Sequence, residues 1–194
     1  MGSLTNKNIT GSRWFVSFVD DHTRLTWIFL MKEKSEVGQI FQNFNLMIQT
    51  QFQTKIQILK SDNAREFFQS ILGTYLSCQG IVHLSSCIDT PQQNGVAERK
   101  NRHLLEVARS LMFSTNVPKF LWGEAVLTAA YLINRMPSRV LKFHNPRQVL
   151  LQAFPNTKLL SSDLPPIIFG SSAFVHIHQQ HRSKLDPNLS TVFS

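Results

Sequence analysis

Three stretches of this chain set acids in polar, loop-like surroundings: VDDHTRL (19–25), LKSDNAREF (59–67) and TPQQNGVAERKNRHLLEVAR (90–109). Carboxylates gathered at one end of a sheet bind hard divalent cations, which take oxygen ligands. Asp62 follows an apolar run that reads as a strand, and the C-terminal ends of strands are where α/β folds place their chemistry. An Asp at such a point also caps a following helix well. Glu98 lies in a helical pattern whose apolar stripe centres near Ala97 and Ala108. At 100° per residue Glu98 is about 80° from that centre, on the border of the buried face, with Arg102 and Arg109 within about 40° of it. An ion pair of Glu98 with Arg102, four residues on, fits this placement. So does a carboxylate aimed at the sheet edge beside cations that could hold phosphates. Arg99, Lys100, Arg102 and Arg109 make the helix basic on balance, whereas an idle solvated face mixes its signs.

The elements that must carry these residues follow from pattern. WFVSFV (14–19) and LTWIFLM (25–31) read as strands joined by the turn former DDHTR, a hairpin. Val37, Ile40, Phe41, Phe44, Met47 and Ile48 recur at helical spacing, with Ser35 as the expected N-cap. KIQILKS (55–61) reads as a strand running into Asp62, residues 65–79 as a helix stopped by Gly80, and IVHLSS (81–86) as another strand. DTPQQNG (89–95) is a loop before a helix over 96–113, and a further helix spans 120–136, closed by Pro137. A short helix over 145–154 comes next. This order predicts an α/β fold with a mixed sheet flanked by helices. Pro165 and Pro166 mark a boundary. The stretch beyond them reads as strands in IIFGSSAFVHIH and a polar end, too short to bury a core of its own.

Composition narrows the function class. The chain has 194 residues, enough for one ordinary domain, and 42% of them are hydrophobic, which supports a real core. A net charge of +8 points to a polyanionic partner. Cys78 and Cys87 lack a CxxC spacing, so reduced thiols are expected. No apolar run reaches the ~18 residues a membrane span needs, and no signal-peptide core is present at the start. A soluble protein with no membrane partner is expected. The alternation of HIHQQH (176–181) fits an exposed strand better than a metal site.

SDNAREF and TPQQNGVAERKNRHLLEVARSLM resemble the integrase catalytic core of copia-type retrotransposons, a member of the RNase H-like superfamily. The 35 residues between Asp62 and Glu98 match that family's separation of acids. RWFVSFVDDHTRLTWIFLMKEKSEV and LWGEAVLTAAYLINRMPSRVL look like the same family on either side. The resemblance covers residues 12–150, and 165–194 resembles the start of an SH3-like region, incomplete here. It implies metal-binding, catalytic roles for Asp62 and Glu98. It also puts Gln92, Gln93, Asn94, Gly95, Asn101 and Arg102 where the family contacts DNA. Implied with it are Mg²⁺ or Mn²⁺ as cofactor, DNA as partner, self-association, and a nuclear location for a functional protein. In the family two Mg²⁺ ions clamp the attacking and leaving oxygens of a phosphodiester.

The chain departs from that pattern at its start. The family's first catalytic Asp lies on the strand before the hairpin, and residues 1–19 hold no Asp or Glu. Asp20 and Asp21 sit in the turn, where Asp serves as a turn former. Ala64 replaces the family's usual Gly. The expectation is an RNase H-like sheet lacking its first strand, weak or absent metal binding, and no catalysis. A basic module that binds nucleic acid or itself without cutting is the alternative.

Overall fold

The computed structural model describes residues 2–3, 7–61, 70–85, 95–157, 169–176 and 189–193. Asp62, Ala64, Cys87 and Gln92 to Asn94 lie outside the described residues, as does most of HIHQQH. The elements in chain order are β1 (Gly2–Ser3), β2 (Trp14–Val19), β3 (Thr26–Met31), α1 (Val37–Phe52), β4 (Ile58–Ser61), α2 (Ser70–Gln79) and β5 (Val82–Ser85). They continue with α3 (Gly95–Thr115), α4 (Trp122–Ile133), α5 (Pro146–Ala153), β6 (Ser172–His176) and β7 (Leu189–Phe193).

β2 and β3 form the expected hairpin, antiparallel in the register Trp14↔Met31 to Val19↔Thr26. Both strands are apolar apart from Ser17 and Thr26 because both faces are covered. Trp14, Val16, Phe18, Trp27, Phe29 and Met31 face a core built on α1, α2 and α5. Phe15, Ile28 and Leu30 face a second core built on α3 and α4. The first core is rich in rings: Phe18 stacks on Phe44 at 4.7 Å and meets Phe41 edge-on at 5.7 Å, while Trp27 meets Phe44 at 5.2 Å. Each such pair contributes about 0.5–1.5 kcal/mol beyond its area. In the second core Ala125, Val126, Ala129, Ala130 and Ile133 of α4 recur at helical spacing and are buried.

Among the described residues the strands fall into three ladders, where a mixed sheet was expected. β1 and β3 flank β2, β4 pairs with β5 in parallel, and β6 pairs with β7 antiparallel. β1 reaches only Phe15 and Trp14 of β2, through Gly2 and Ser3.

Several local expectations need correction. Ser35 is not the cap of α1: it lies within a 3-10 turn, Lys34–Glu36, that leads into the helix. The Glu36 carboxylate there accepts from the Glu33 and Lys32 N–H groups at 2.8 and 3.1 Å, so a longer acidic side chain reaches back where a serine hydroxyl would not. β4 is shorter than KIQILKS, because residues 54–57 are not strand. The end of the chain, read as polar, supplies β7. Gly80 does stop α2, in the left-handed conformation at φ +69°, with the Ile81 N–H returning to the Leu76 carbonyl at 2.9 Å. Asn145 caps α5 by accepting from the Gln148 N–H at 2.7 Å, with Pro146 at the first helical position. Phe169 is buried in the α3–α4 core, which ties the segment after the Pro165–Pro166 boundary to the main domain.

Candidate nucleic-acid interface

α3 carries most of the residues singled out for function. Its inner stripe is anchored by Leu104 and Ala108, buried against α4 and Phe15. One polar bond docks the helix onto the sheet: the Ser17 hydroxyl donates to Asn101 Oδ1 at 2.7 Å. Asn101 is thus turned toward β2 and half-buried. Glu98 lies in the first helical turn, where a negative charge is favoured by the helix dipole, and is exposed. Arg99, Arg102 and Arg109 are exposed as well. Gly95 opens the helix half-buried, with the Arg99 guanidinium folded back over it.

The cations divide into two kinds. Lys100 is half-buried, and burial lowers its pKa, with the Arg24 charge adding to the effect. It belongs to the seam between α3 and the β2–β3 turn. Arg109 Nε donates to the Leu105 carbonyl at 3.2 Å, which leaves the rest of its guanidinium outward. Among the described residues no ion pair joins Glu98 to Arg102. The i,i+4 pair that the spacing allows is not made, and both charges face solvent.

Asp20 and Asp21 are committed elsewhere. Asp20 Oδ2 accepts from the Thr23 N–H at 2.8 Å and its hydroxyl at 2.7 Å, closing the hairpin turn. Asp21 pairs with Arg24 at 2.9 Å and with Lys60 of β4 at 3.2 Å. The Lys60 hydrogen bond is the chief cause that lowers the Asp21 pKa. These oxygens serve the turn and its link to β4. Among the described residues no cluster of three or more His, Cys, Asp or Glu stands together. Next to the end of β4, Ser61 and His83 Nε2 lie 2.8 Å apart across the parallel ladder. Burial lowers the His83 pKa.

Reading the sequence set Glu98 on the border of the buried face of α3 with Arg102 and Arg109 on the same side; these three, and Arg99 with them, are exposed. It missed Ser17, Lys60 and His83. The first signal available for Ser17 was a single polar residue inside the apolar run WFVSFV. Cys78 is exposed, and no helix among the described residues is long and apolar enough to cross a membrane.

No family model matches the chain. The retrovirus-related Pol polyprotein from transposon TNT 1-94 of Nicotiana tabacum is 40% identical over 185 residues, 95% of this chain and 14% of that protein. The Pol polyprotein from transposon RE2 of Arabidopsis thaliana is 38% identical over 92% of this chain and 12% of its own length. The chain therefore spans a small part of the relatives it matches. The HTLV-2 integrase catalytic core domain, solved in complex with magnesium in a trimeric form, superposes with a TM-score of 0.52 at 16% identity. That match covers 69% of this chain and 81% of that one. The chain belongs with the retrovirus-related Pol polyproteins of copia-type transposons, and its fold is that of the retroviral integrase catalytic cores.

Proposed function

We propose that this integrase core binds DNA without sequence preference through the outward side of α3, and that as written it does not join DNA ends. The observation that supports binding is the exposure of Arg99, Arg102 and Arg109 on one helix whose opposite stripe is buried. Exposed guanidinium groups suit phosphates, which they can meet with two parallel hydrogen bonds. Gln92, Gln93 and Asn94, which precede the helix in sequence, and Gly95 at its start extend the same contact region, with Asn101 set at its inner border.

The catalytic part of the reading rests on the count of acids. Asp62 and Glu98 are the two carboxylates proposed to meet a divalent cation, and two cannot supply a bridging ligand with full coordination for an ion pair. Magnesium or manganese binding is accordingly weak, on the order of millimolar, as for Mg²⁺ sites with few protein ligands. Residues 12–150 act as the core and 165–194 as the start of an SH3-like region. A nuclear location goes with access to DNA.

Self-association is the second reading, favoured by the trimeric form of the HTLV-2 relative in fold. One set of measurements separates the readings. Anisotropy of labelled duplex DNA should show binding that weakens steeply with salt, as counterion release requires. Joining assays with Mg²⁺ or Mn²⁺ should give no product. Metal-dependent joining that Asp62→Asn abolishes would overturn the catalytic part, and salt-independent or absent DNA binding would leave the self-associating module.

A further inference from the structure

The connection from α4 to α5 closes into a tight loop over residues 136–144. Five backbone hydrogen bonds hold it. The Leu141, Lys142, Phe143 and His144 N–H groups return to the carbonyls of Ser138, Arg139, Ser138 and Leu141 at 3.0, 3.1, 2.9 and 3.0 Å, and the Ser138 N–H reaches the His144 carbonyl at 3.1 Å. Lys142 and Phe143 are both left-handed, at φ +52° and +66°, a conformation in which a bulky residue is an outlier. Strain of that kind persists only where the surrounding structure enforces it, and it gathers where ligands are held. Here it enforces exposure: Phe143 is 73% exposed, Val140 72% and Met136 51%. These side chains belong to neither core, and they do not line the cavity of about 580 Å³ between β2 and β4, which is walled by Phe18, Trp27, Phe41 and Phe44. Charge follows the same pattern. Between Glu124 and Asp163 the chain has no Asp or Glu, while Arg135, Arg139, Lys142, Arg147 and Lys158 fall there. Arg135 is folded over the Tyr131 ring at 3.4 Å, at the root of the loop. Arg139 and Lys142 are exposed, and the ion pairs among the described residues do not involve them.

We propose that this loop is a separate nucleic-acid contact that takes unpaired nucleotides, with Phe143 stacked on a base, Val140 against its neighbour, and Arg139 and Lys142 on the flanking phosphates. It rests on the reading of α3 as a duplex-binding face and adds a different ligand to it. Cation and apolar side chain come in two pairs, Arg139–Val140 and Lys142–Phe143. Every base has a π face and every nucleotide a phosphate, so such pairs grip a single strand without reading its sequence. Single-stranded DNA and RNA share that chemistry. A duplex offers its base faces only to one another, and meeting Phe143 would require unstacking them. The backbone bonds hold the ring outward before any ligand arrives, so little order is lost on binding. Position favours a nucleic acid over an acidic protein surface. The loop leaves the end of α4 that faces the β2–β3 turn, since Asn134 is bonded to Thr26. The start of α3 lies toward that same end: Asn101 is bonded to Ser17, which pairs with Ile28, and Lys100 feels the Arg24 charge. One strand can therefore pass from a duplex on α3 to an unpaired stretch on the loop.

The test measures anisotropy of a labelled blunt duplex, the same duplex with a short thymine tail, and free oligo-dT and oligo-U, with the full chain and its variants. The tail is expected to raise affinity about fivefold or more, the lower end for one stacked base. Phe143→Ala should remove that gain while leaving blunt-duplex binding within about twofold, and Phe143→Trp should keep it. A 2-aminopurine in the tail should be quenched by the parent chain and not by Phe143→Ala. Replacing Arg99 and Arg102 with Ala should weaken both duplexes and leave the gain from the tail. Equal binding of blunt and tailed duplexes, or a gain that survives Phe143→Ala, would overturn the proposal and leave the α3 reading standing. Absence of duplex binding, with Phe143-dependent binding of oligo-dT or oligo-U retained, would instead remove the α3 reading and keep the loop. Polyglutamate that displaces the free oligonucleotides as readily as unlabelled oligo-dT does would assign the loop to an acidic protein and overturn the proposal as well.

Discussion

Asn134 and Thr26 hold each other by two reciprocal hydrogen bonds. The Thr26 N–H donates to Asn134 Oδ1 at 2.9 Å, and the Asn134 side-chain amide donates to the Thr26 carbonyl at 2.8 Å. A primary amide at the end of α4 thereby gives the first residue of β3 what a neighbouring strand would give it. Thr26 is buried, so losing both partners strands a donor and an acceptor. Asn134→Ala is expected to cost about 1–3 kcal/mol. Asn134→Asp keeps an acceptor for the Thr26 N–H but sets a carboxylate against its carbonyl, so it should not rescue. Urea midpoints of the three chains check this.

Gly123 is required by a close approach. A Cβ there would lie 2.6 Å from Asn8 Nδ2 and 3.0 Å from Leu30 Cδ1. Asn8 cannot move aside freely, because its Oδ1 accepts from the Thr10 N–H, the Thr10 hydroxyl and the Ser12 N–H at 3.0, 2.9 and 2.6 Å. Gly123→Ala should destabilise by about 1–3 kcal/mol through overpacking. In an Asn8→Ser background the same substitution should cost less, a coupling that a double-mutant cycle reads.

His83 gives the fold an acid-sensitive element. Burial holds its imidazole below the ordinary 6.5, so the folded state favours the neutral ring and the unfolded chain takes up the proton first. The associated stability is complete above about 6.5 and is lost as pH falls from there through the folded value. His83→Gln, able to keep a hydrogen bond toward Ser61, should flatten this part of the stability–pH curve between about pH 7 and 5. Thermal midpoints across that range measure it.

The basic residues of α3 should separate by burial. Replacing Arg99 and Arg102 with Ala is expected to weaken DNA binding at least about tenfold at low salt and to reduce the salt slope by about 2. Folding stability should change by about 0.5 kcal/mol or less. Lys100→Ala should do the reverse, lowering stability more than it lowers binding, because its stem is packed. Anisotropy and thermal melts on the same preparations distinguish the two.

Periodicity carried most of the fold. The hairpin, α1, α3 and α4 are long or strongly patterned, and their apolar positions point where the structure has them. The short pieces were harder: β4 is four residues and β1 two, below the length at which alternation means anything. The cap of α1 was misassigned because Glu33, Ser35 and Glu36 are all cap formers within four residues, and side-chain reach decided among them. At the candidate site, helical geometry set Glu98 at the border of the buried face beside Arg102 and Arg109, whereas all three are exposed. The Ser17–Asn101 bond did not, since its partners are 84 residues apart and only the completed packing brings them together. The same holds for Lys60 and Asp21, joined across 39 residues.

Trp27 lines the cavity between β2 and β4 with its ring 5.2 Å from that of Phe44. Its indole is only partly buried, while Trp122 is packed in the other core. Excluding water from around this indole would leave that of Trp122 unchanged, while Trp14, the third tryptophan, is also partly buried. With Trp14 and Trp122 replaced by Phe, Trp27 becomes an optical probe whose emission should shift to the blue as the space fills.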